Sequence, residues 1–219
     1  MGNVQMLLRQ HVGAPCAAIV KAGDEVKKGT LIATPTGLGA NIFSSVYGKV
    51  TEVTEDRIII EPSEEQPDEF VPIDVPEDAS KLDMVKAAGV VGLGGAGFPT
   101  GIKLNINLAE TPMGELDPEI NPELPADFKL DCEKGYILIN AAECEPGLEH
   151  NIKQIEEQCD KVIRGVKYCM EITNADKAIF AIKKKNQKAI KTLQKALEGE
   201  SAISMHLLPD IYPMGEERA

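Results

Sequence analysis

The second half of the sequence alternates short apolar runs with longer amphipathic stretches, and this alternation constrains the fold more than any other feature. Apolar runs predict strands over residues 136–140, 177–182 and 203–208. Helices are predicted over about 149–172 and 187–197, because apolar residues recur there with a period near 3.6. Strand, helix, strand, helix, strand is the order of a parallel sheet covered by helices. We therefore predict a Rossmann-like α/β domain whose first run forms a buried strand.

The first 62 residues follow an all-β pattern instead. Residues 20–32 alternate strand-like positions with Gly-Asp and Lys-Gly turns, and a second half at 42–50 precedes a strand at 57–60. Two such halves resemble the barrel-sandwich module of lipoyl and biotinyl carrier domains. Carrier domains attach their cofactor to a lysine in the hairpin between the halves, whereas the connection at 33–41 contains no lysine. We therefore predict a structural or docking module.

The residues between these two parts predict a linker and one helix. The linker is acidic and contains prolines. A helix is predicted over 81–88, with Ser80 as its cap. A stretch at 105–134, rich in proline and acids, predicts a long surface excursion. The predicted domains are a barrel-sandwich domain at 1–62, a linker at 63–80 and a Rossmann-like domain at 81–219.

Charge and cysteine spacing limit the possible functions. The net charge of −12 argues against a nucleic-acid surface, and we interpret the basic run at 183–185 as a solvated strand end. No two of the five cysteines form a C-x-x-C pair, so an iron–sulfur or zinc ligand set is not expected within this chain. No run approaches the roughly 20 apolar residues that span a bilayer. We expect a cytoplasmic protein whose membrane association, if any, is peripheral and goes through partner subunits.

The strongest chemical signal is the glycine segment, Gly-Leu-Gly-Gly-Ala-Gly-Phe-Pro-Thr-Gly-Ile-Lys at residues 92–103. Its glycines permit positive φ and remove side chains that would hold a ligand away. Successive exposed amide N–H groups bind anions, most often phosphate, and Lys103 could add a positive charge. However, a G-x-G-x-x-G match often marks only a tight turn, and this one follows a predicted helix. The residues alone leave a phosphate nest and a structural turn both open.

Two acids follow the first predicted strand of the α/β unit. Ligands of open α/β sheets bind outside the carboxyl ends of the strands, where Glu143 and Glu145 are expected. Their carboxylates would accept hydrogen bonds from ribose hydroxyls or an amide and would leave phosphate to the glycine segment. The same acids could instead stabilise the amino end of the helix that begins near Glu149. Both interpretations stay open.

The glycine segment and Asn-Ala-Ala-Glu-Cys-Glu-Pro-Gly at 140–147 resemble the two signatures of one flavoprotein family. This family includes the flavin-carrying subunit of respiratory complex I and the C subunit of the Rnf ferredoxin:NAD oxidoreductase. Gln-His-Val-Gly-Ala-Pro at 10–15 is similar to the Rnf C subunit in particular. Gly-Leu-Gly-Ala-Asn-Ile at 37–42 is most similar to a clostridial relative, the proline reductase-associated electron transfer protein. The resemblance implies a domain that holds FMN and exchanges hydride with NAD(H).

The resemblance also implies roles for individual residues. The glycine segment matches positions around the flavin phosphate and ring, and Phe98 matches an aromatic residue beside the nicotinamide pocket. Asn140 and Glu143 match flavin contacts, while Glu145 matches a contact to the nicotinamide nucleotide. The segment 212–217 is similar to a further part of that pocket. The cofactor-binding residues implied are Gly92, Gly94, Gly95, Ala96, Gly97, Phe98, Lys103, Asn140, Glu143, Cys144, Glu145, Tyr212, Gly215, Glu216 and Glu217.

The chain departs from its relatives in three ways. Ala142 stands where complex I relatives carry an acid, and the excursion at 105–134 is longer than expected for an Rnf C subunit. Relatives also continue past the position of Ala219, with a ubiquitin-like domain and ferredoxin-type cysteine motifs. Iron–sulfur clusters are therefore expected only in such downstream segments or in partner subunits.

Two hypotheses for function follow. The first is an electron-transfer flavoprotein domain that moves electrons between NAD(H) and iron–sulfur or reductase partners through FMN. Its expected partners are ferredoxin-like proteins, Rnf subunits or a proline reductase. The second is a non-catalytic docking module, with a vestigial nucleotide fold, that recruits a reductase partner.

Overall fold

The protein was analysed as a computed structural model that describes residues 2–93, 95–110, 134–145 and 147–216. The chain forms two compact units, Met1–Asn105 and Ile106–Ala219, which we call the amino-terminal and the carboxyl-terminal unit. The predicted excursion at 105–134 lies largely outside the described residues. The predicted domain boundaries stay predictions.

The amino-terminal unit is built from two antiparallel sheets. The strands are β1 Val4–Leu7, β2 Cys16–Ala18, β3 Glu25–Val26, β4 Leu31–Pro35, β5 Ile42–Phe43, β6 Gly48–Val53 and β7 Arg57–Pro62. One sheet has the order β1-β7-β6-β3 and the other the order β2-β4-β5. A β-bulge interrupts the pairing of β6 with β7 between Val50 and Glu52.

One aliphatic core joins the two sheets. Alternate residues of β7, Ile58 and Ile60, are fully buried, as the period of two in a strand requires. They pack in one cluster with Ile32 and Ala33 of β4 in the other sheet, and with Val50 of β6. The predicted barrel-sandwich fold is confirmed.

The segment predicted as a linker runs along this unit. The Gln66 side chain accepts a hydrogen bond from the Tyr47 amide at 3.0 Å and donates to the Tyr47 carbonyl at 2.7 Å. The Val71 amide donates to the Lys28 carbonyl at 2.8 Å. These bonds attach the segment to the loops between the strands rather than leaving it as a free tether.

Two helices complete the amino-terminal unit. The predicted helix is confirmed as α1, Lys81–Ala87. The Ser80 hydroxyl accepts a hydrogen bond from the Asp83 amide at 3.1 Å and so caps its first turn. The hydrogen bond from Ser80 to the Asp83 carboxylate also lowers the pKa of Asp83. The second helix is α2, Thr100–Lys103, which ends the glycine segment.

The carboxyl-terminal unit contains the predicted strand–helix alternation. The elements are β8 Tyr136–Ala141, α3 His150–Thr173, β9 Lys177–Lys183, α4 Gln187–Ala196 and β10 Ile203–Leu208. The three strands pair in parallel in the order β10-β9-β8. Helix α3 has non-helical φ and ψ at Gln158, which marks a kink, and the residue that follows its end, Asn174, is in the left-handed conformation.

Both helices pack with the same residues of this sheet. Ala178, Phe180 and Ile182 of β9 are fully buried in one cluster with residues of α3 and α4. On β8, by contrast, Leu138 is 72 % exposed. The prediction of a buried strand at 136–140 is therefore wrong. An apolar run predicts a strand but not how many of its faces are covered, and β8 lies at an edge of the described sheet.

Within the described ranges, no helix combines the length and the apolar character that crossing a bilayer requires.

Candidate functional site

The glycine segment begins as a narrow loop. Val91 and Pro99 form an isolated antiparallel bridge. The Gly92 amide donates to the Phe98 carbonyl at 2.9 Å, and the Thr100 amide donates to the Val90 carbonyl at 2.9 Å. These bonds close the base of the loop, and Gly95 and Gly97 lie in its tip. The predicted contact Gly94 lies outside the described residues.

The tip presents unused hydrogen-bond donors. Gly92, Leu93, Gly95 and Ala96 are exposed. The amides of the exposed residues Leu93, Gly95 and Ala96 donate no backbone hydrogen bond to any other described residue. Within the described residues, a Cβ atom added at Gly95 would meet nothing within 4 Å. Open space beside several free N–H groups is what a phosphate group needs, so the residues present fit a phosphate-bearing cofactor.

Two further predicted residues of this segment are also exposed. Phe98 follows the tip, and Lys103 lies in the last turn of α2. An exposed lysine in the same short segment can add a positive charge for an anion, and an exposed aromatic ring offers a stacking surface. Both side chains are therefore accessible to a ligand.

In the carboxyl-terminal unit, the ends of all three parallel strands contribute to one cleft of about 790 Å³. This volume lies within the range of small-molecule sites. Glu143 and Glu145 line it after β8, Lys183 and Lys185 at β9, and Tyr212 after β10. The cleft is therefore acidic beside β8 and basic beside β9.

Glu143 is held by the helix that follows it. Its φ is +38°, in the left-handed region, and its side chain is 7 % exposed. One carboxylate oxygen accepts a hydrogen bond from the Asn151 amide at 3.0 Å, in the first turn of α3, and the other lies 3.7 Å from His150 Nδ1. This supports the capping interpretation for Glu143. Glu145 is exposed and bends the chain back, its carbonyl accepting from the Leu148 amide at 3.2 Å.

The end of the described chain folds back onto this turn. The Asn140 side chain donates to the Gly215 carbonyl at 2.7 Å, and its oxygen accepts from the Ala142 amide at 3.1 Å. The Gly215 amide donates to Cys144 Sγ at 2.9 Å. A Cβ atom at Gly215 would also lie 2.9 Å from that sulfur, so a larger residue would displace the segment. The structure thus brings Asn140, Cys144 and Gly215 together.

The other predicted residues of this last segment are more open. Tyr212 is exposed beside the cleft, and Glu216 is exposed, with its amide donating to the Pro213 carbonyl at 2.7 Å. Glu217 lies outside the described residues.

The sequence did not indicate the basic side of the cleft. Lys183 is buried, with its ammonium 3.6 Å from Asp210, so its interpretation as part of a solvated strand end is wrong. Lys185 lies 2.9 Å from the same carboxylate, and its hydrogen bond is the main reason that the pKa of Asp210 is lowered. The Asn186 side-chain nitrogen is buried there without a hydrogen-bond partner in the described part of the chain.

Four of the cysteines lie within the described residues, and all four are free thiols. Burial raises the pKa of Cys16, Cys159 and Cys169, so these three are poor nucleophiles. Across the ranges that the structure describes, no three His, Cys, Asp or Glu side chains are grouped so as to hold a metal ion.

We expect Glu143→Ala to lower the free energy of unfolding by about 1 kcal/mol, since it removes the acceptor for an amide in the first turn of α3. Glu143→Gln keeps an acceptor oxygen and should cost less. Urea denaturation followed by circular dichroism measures both. Glu145→Ala, at an exposed position two residues away, is the control, and an equal loss in this control would contradict the capping role.

Comparison with known proteins connects both units to described families. Residues 2–73 match the RnfC barrel sandwich hybrid domain, and residues 121–219 match the Nuo51 FMN-binding domain.

Three similar proteins illustrate the extent of the similarity. The C subunit of the proton-translocating ferredoxin:NAD(+) oxidoreductase complex of Clostridium ljungdahlii is 35 % identical over 229 residues, covering 96 % of this chain and 44 % of the relative. The C subunit of the Na(+)-translocating ferredoxin:NAD(+) oxidoreductase complex of Acetobacterium woodii is 34 % identical over 226 residues, covering 95 % of this chain and 45 % of the relative. The cobalamin reductase PduS of Citrobacter freundii is 38 % identical over 135 residues, covering 62 % of this chain and 24 % of the relative. The chain thus spans less than half the length of these relatives.

Proposed function

We propose that this chain, which is similar to Rnf complex C subunits over the length that it spans, is an FMN-dependent electron-transfer unit working between NAD(H) and redox centres outside the chain. The observation that carries this proposal is the tip of the glycine segment, where the amides of exposed residues donate no backbone hydrogen bond to any other described residue. A tight turn made only for folding has no need of that arrangement.

The amino-terminal unit binds the flavin phosphate in this proposal. The amides of the glycine segment donate to the phosphate oxygens, and Lys103 adds a positive charge. Phe98 offers its exposed ring to the nicotinamide. When bound, FMN supplies the redox chemistry, accepting two electrons as hydride and releasing them singly, while the protein supplies position and electrostatics.

In the carboxyl-terminal unit the predicted residues divide into two groups. Glu145 and Tyr212 stay exposed at the cleft, and we assign them to contacts with the nicotinamide nucleotide. The hydrogen bonds of Asn140, Cys144 and Gly215 hold the segment that carries Tyr212 and Glu216. Any contact that these three residues make with a flavin comes in addition to this role.

Glu143 belongs with the residues that shape the turn. Its carboxylate contacts the first turn of α3, so we propose that Glu143 fixes the turn at residues 143–145. It then affects cofactor binding only through the position of Glu145. The left-handed backbone at Glu143 makes the turn sharp enough to place Glu145 at the cleft.

Partners and location follow from the relatives. We propose that electrons pass to iron–sulfur subunits of an Rnf-type complex or to a ferredoxin-like protein, with this chain on the cytoplasmic side and peripheral to the membrane. A proline reductase as the acceptor stays a prediction that rests on residues 37–42.

The test is reconstitution of the purified protein with FMN, followed by gel filtration and anaerobic addition of NADH. We expect FMN to coelute with the protein and NADH to bleach its visible absorbance. Protein that elutes free of flavin would overturn the proposal, whereas flavin retention without bleaching would limit the function of this chain to binding flavin.

One observation favours the docking module as a second candidate. Phe70 is 71 % exposed, and Val71 and Ile73 beside it are exposed as well, in an acidic segment that is attached to the loops between the strands. Exposed apolar residues rimmed by charge are typical of protein interaction sites. Failure to retain FMN, together with binding of an Rnf protein that Phe70→Ser abolishes, would favour this candidate.

A further inference from the structure

We propose that His11 is a positioning residue, through which the barrel-sandwich domain holds the glycine segment in its phosphate-binding shape. The predicted effect on ligand binding rests on the proposed function, because the ligand is the FMN phosphate. Its structural part concerns only the amino-terminal unit and can be tested without FMN.

The His11 ring joins two turns of the barrel-sandwich domain. The ring is buried, with His11 6 % exposed. The Ala40 amide donates to Nε2 at 3.1 Å, so Nε2 is the acceptor. Nδ1 then carries the proton in the neutral ring, and it donates to the Val12 carbonyl at 3.0 Å. The first turn, residues 10–12, is thereby tied to the second turn, residues 39–41.

The second turn is shaped to receive this ring. A Cβ atom at Gly39 would lie 2.7 Å from the ring carbon Cε1, so only glycine leaves room there. The Cys16 thiol donates to the Ala40 carbonyl at 3.3 Å and fixes the same turn from below the ring. The ring thus fills a fitted, buried position between the turns.

The first turn supports the tip of the glycine segment. The Val12 amide donates to the Ala96 carbonyl at 2.8 Å. Gly97 has φ of +66°, and a Cβ atom added there would lie 3.1 Å from the Gln10 carbonyl oxygen and 3.2 Å from His11 Cα. The backbone of residues 10–12 therefore lies directly against the tip, whose amides remain free on the exposed side.

The second turn supports the approach to the same segment. The Asn41 side chain donates to the Ala87 carbonyl at 3.0 Å, at the end of α1. Gly89 has φ of +63°, and a Cβ atom there would lie 2.3 Å from the Asn41 carbonyl oxygen. The first turn contacts the tip and the second turn contacts residues 87 and 89 just before the glycine segment, so the His11 ring between the turns helps to fix the distance between these two contacts.

This arrangement assigns a structural role to the connection at 33–41. In carrier domains the equivalent connection bears the cofactor on a lysine, and here its end holds a cofactor-binding loop instead. The motif at 10–15 and the phrase at 37–42 are then two halves of one support.

The test compares His11→Leu, which keeps most of the volume but loses both hydrogen bonds, with His11→Gln, whose side-chain oxygen can accept from the Ala40 amide. Hydrogen exchange in the absence of FMN is read at the Gly92 and Thr100 amides, which are hydrogen-bonded at the base of the segment. For His11→Leu we expect exchange at these amides to rise about tenfold relative to the core amide of Val50, and FMN to bind about tenfold more weakly. For His11→Gln we expect both values to stay within about threefold of the wild type.

Ile60→Val, in the core of the same sheets, is the matched control, because it weakens the unit without touching either turn. The proposal is overturned if exchange in His11→Leu rises equally at Gly92, Thr100 and Val50. It is also overturned if His11→Leu fails to fold while His11→Gln behaves as wild type, since the ring would then serve the whole unit. A wild type that binds no FMN refutes the proposed function, while the exchange comparison still decides the positioning role.

Discussion

The substitution Gly95→Asp is expected to abolish FMN binding and to leave the fold intact. Among the residues that the structure describes, a Cβ atom at this position meets nothing within 4 Å, so there is space for an aspartate side chain. Its carboxylate would stand beside the amides that receive the phosphate. Two like charges about 4 Å apart repel by about 4 kcal/mol at an effective dielectric constant of about 20. FMN affinity should therefore fall by at least about 100-fold in a fluorescence titration.

Two variants separate charge from bulk in this experiment. Gly2→Asp adds the same charge at another position with open surroundings and should bind FMN like the wild type. Gly95→Ala adds a methyl group without charge and should weaken binding only a few-fold. If Gly95→Asp retains wild-type affinity, the glycine segment does not receive the phosphate.

The largest effect on stability is expected from Phe180→Ala. Phe180 is fully buried in β9, the middle strand of the described sheet, in one core with α3 and α4. Removing a buried phenyl ring costs about 3–5 kcal/mol, because the lost contacts are only partly replaced when the core relaxes. Since α3 and α4 are the long helices of the described chain, helical circular dichroism during urea denaturation reports mainly on this unit.

Leu138→Ala in the neighbouring strand is the matched control for Phe180→Ala. Leu138 lies on the open face of the sheet, so its truncation should change the free energy of unfolding by less than about 0.5 kcal/mol. Similar losses for both substitutions would show that the second face of the sheet is covered in solution.

The elements of the carboxyl-terminal unit could be predicted from sequence because their periods are strong. The apolar residues of α3 recur along one face, and Ile152, Ile155 and Ile163 are buried as that spacing requires. Burial of individual strand residues could not be predicted so well. An apolar run such as that of β8 is expected whether one or both faces of the strand are covered. The lysine at the end of β9 does not indicate that Asp210, 27 positions later, forms an ion pair with it at the cleft.

For the candidate site, the sequence predicted which residues contribute better than it predicted the role of each residue. It left two roles open for Glu143, and the contact with the Asn151 amide favours the cap. The support that His11 gives could not be inferred, because it depends on Ala40 and Ala96 approaching the first turn from distant parts of the chain. Such contacts have no periodicity from which to be predicted.

The central claim, that the glycine segment binds the phosphate of FMN, is tested most directly by titrating the wild-type protein in parallel with FMN and with riboflavin, which lacks the phosphate. We predict micromolar or tighter binding of FMN and binding of riboflavin at least about 100-fold weaker, since the free amides and Lys103 would have no anion to receive. Equal affinity for the two flavins, or no binding of FMN, would contradict it.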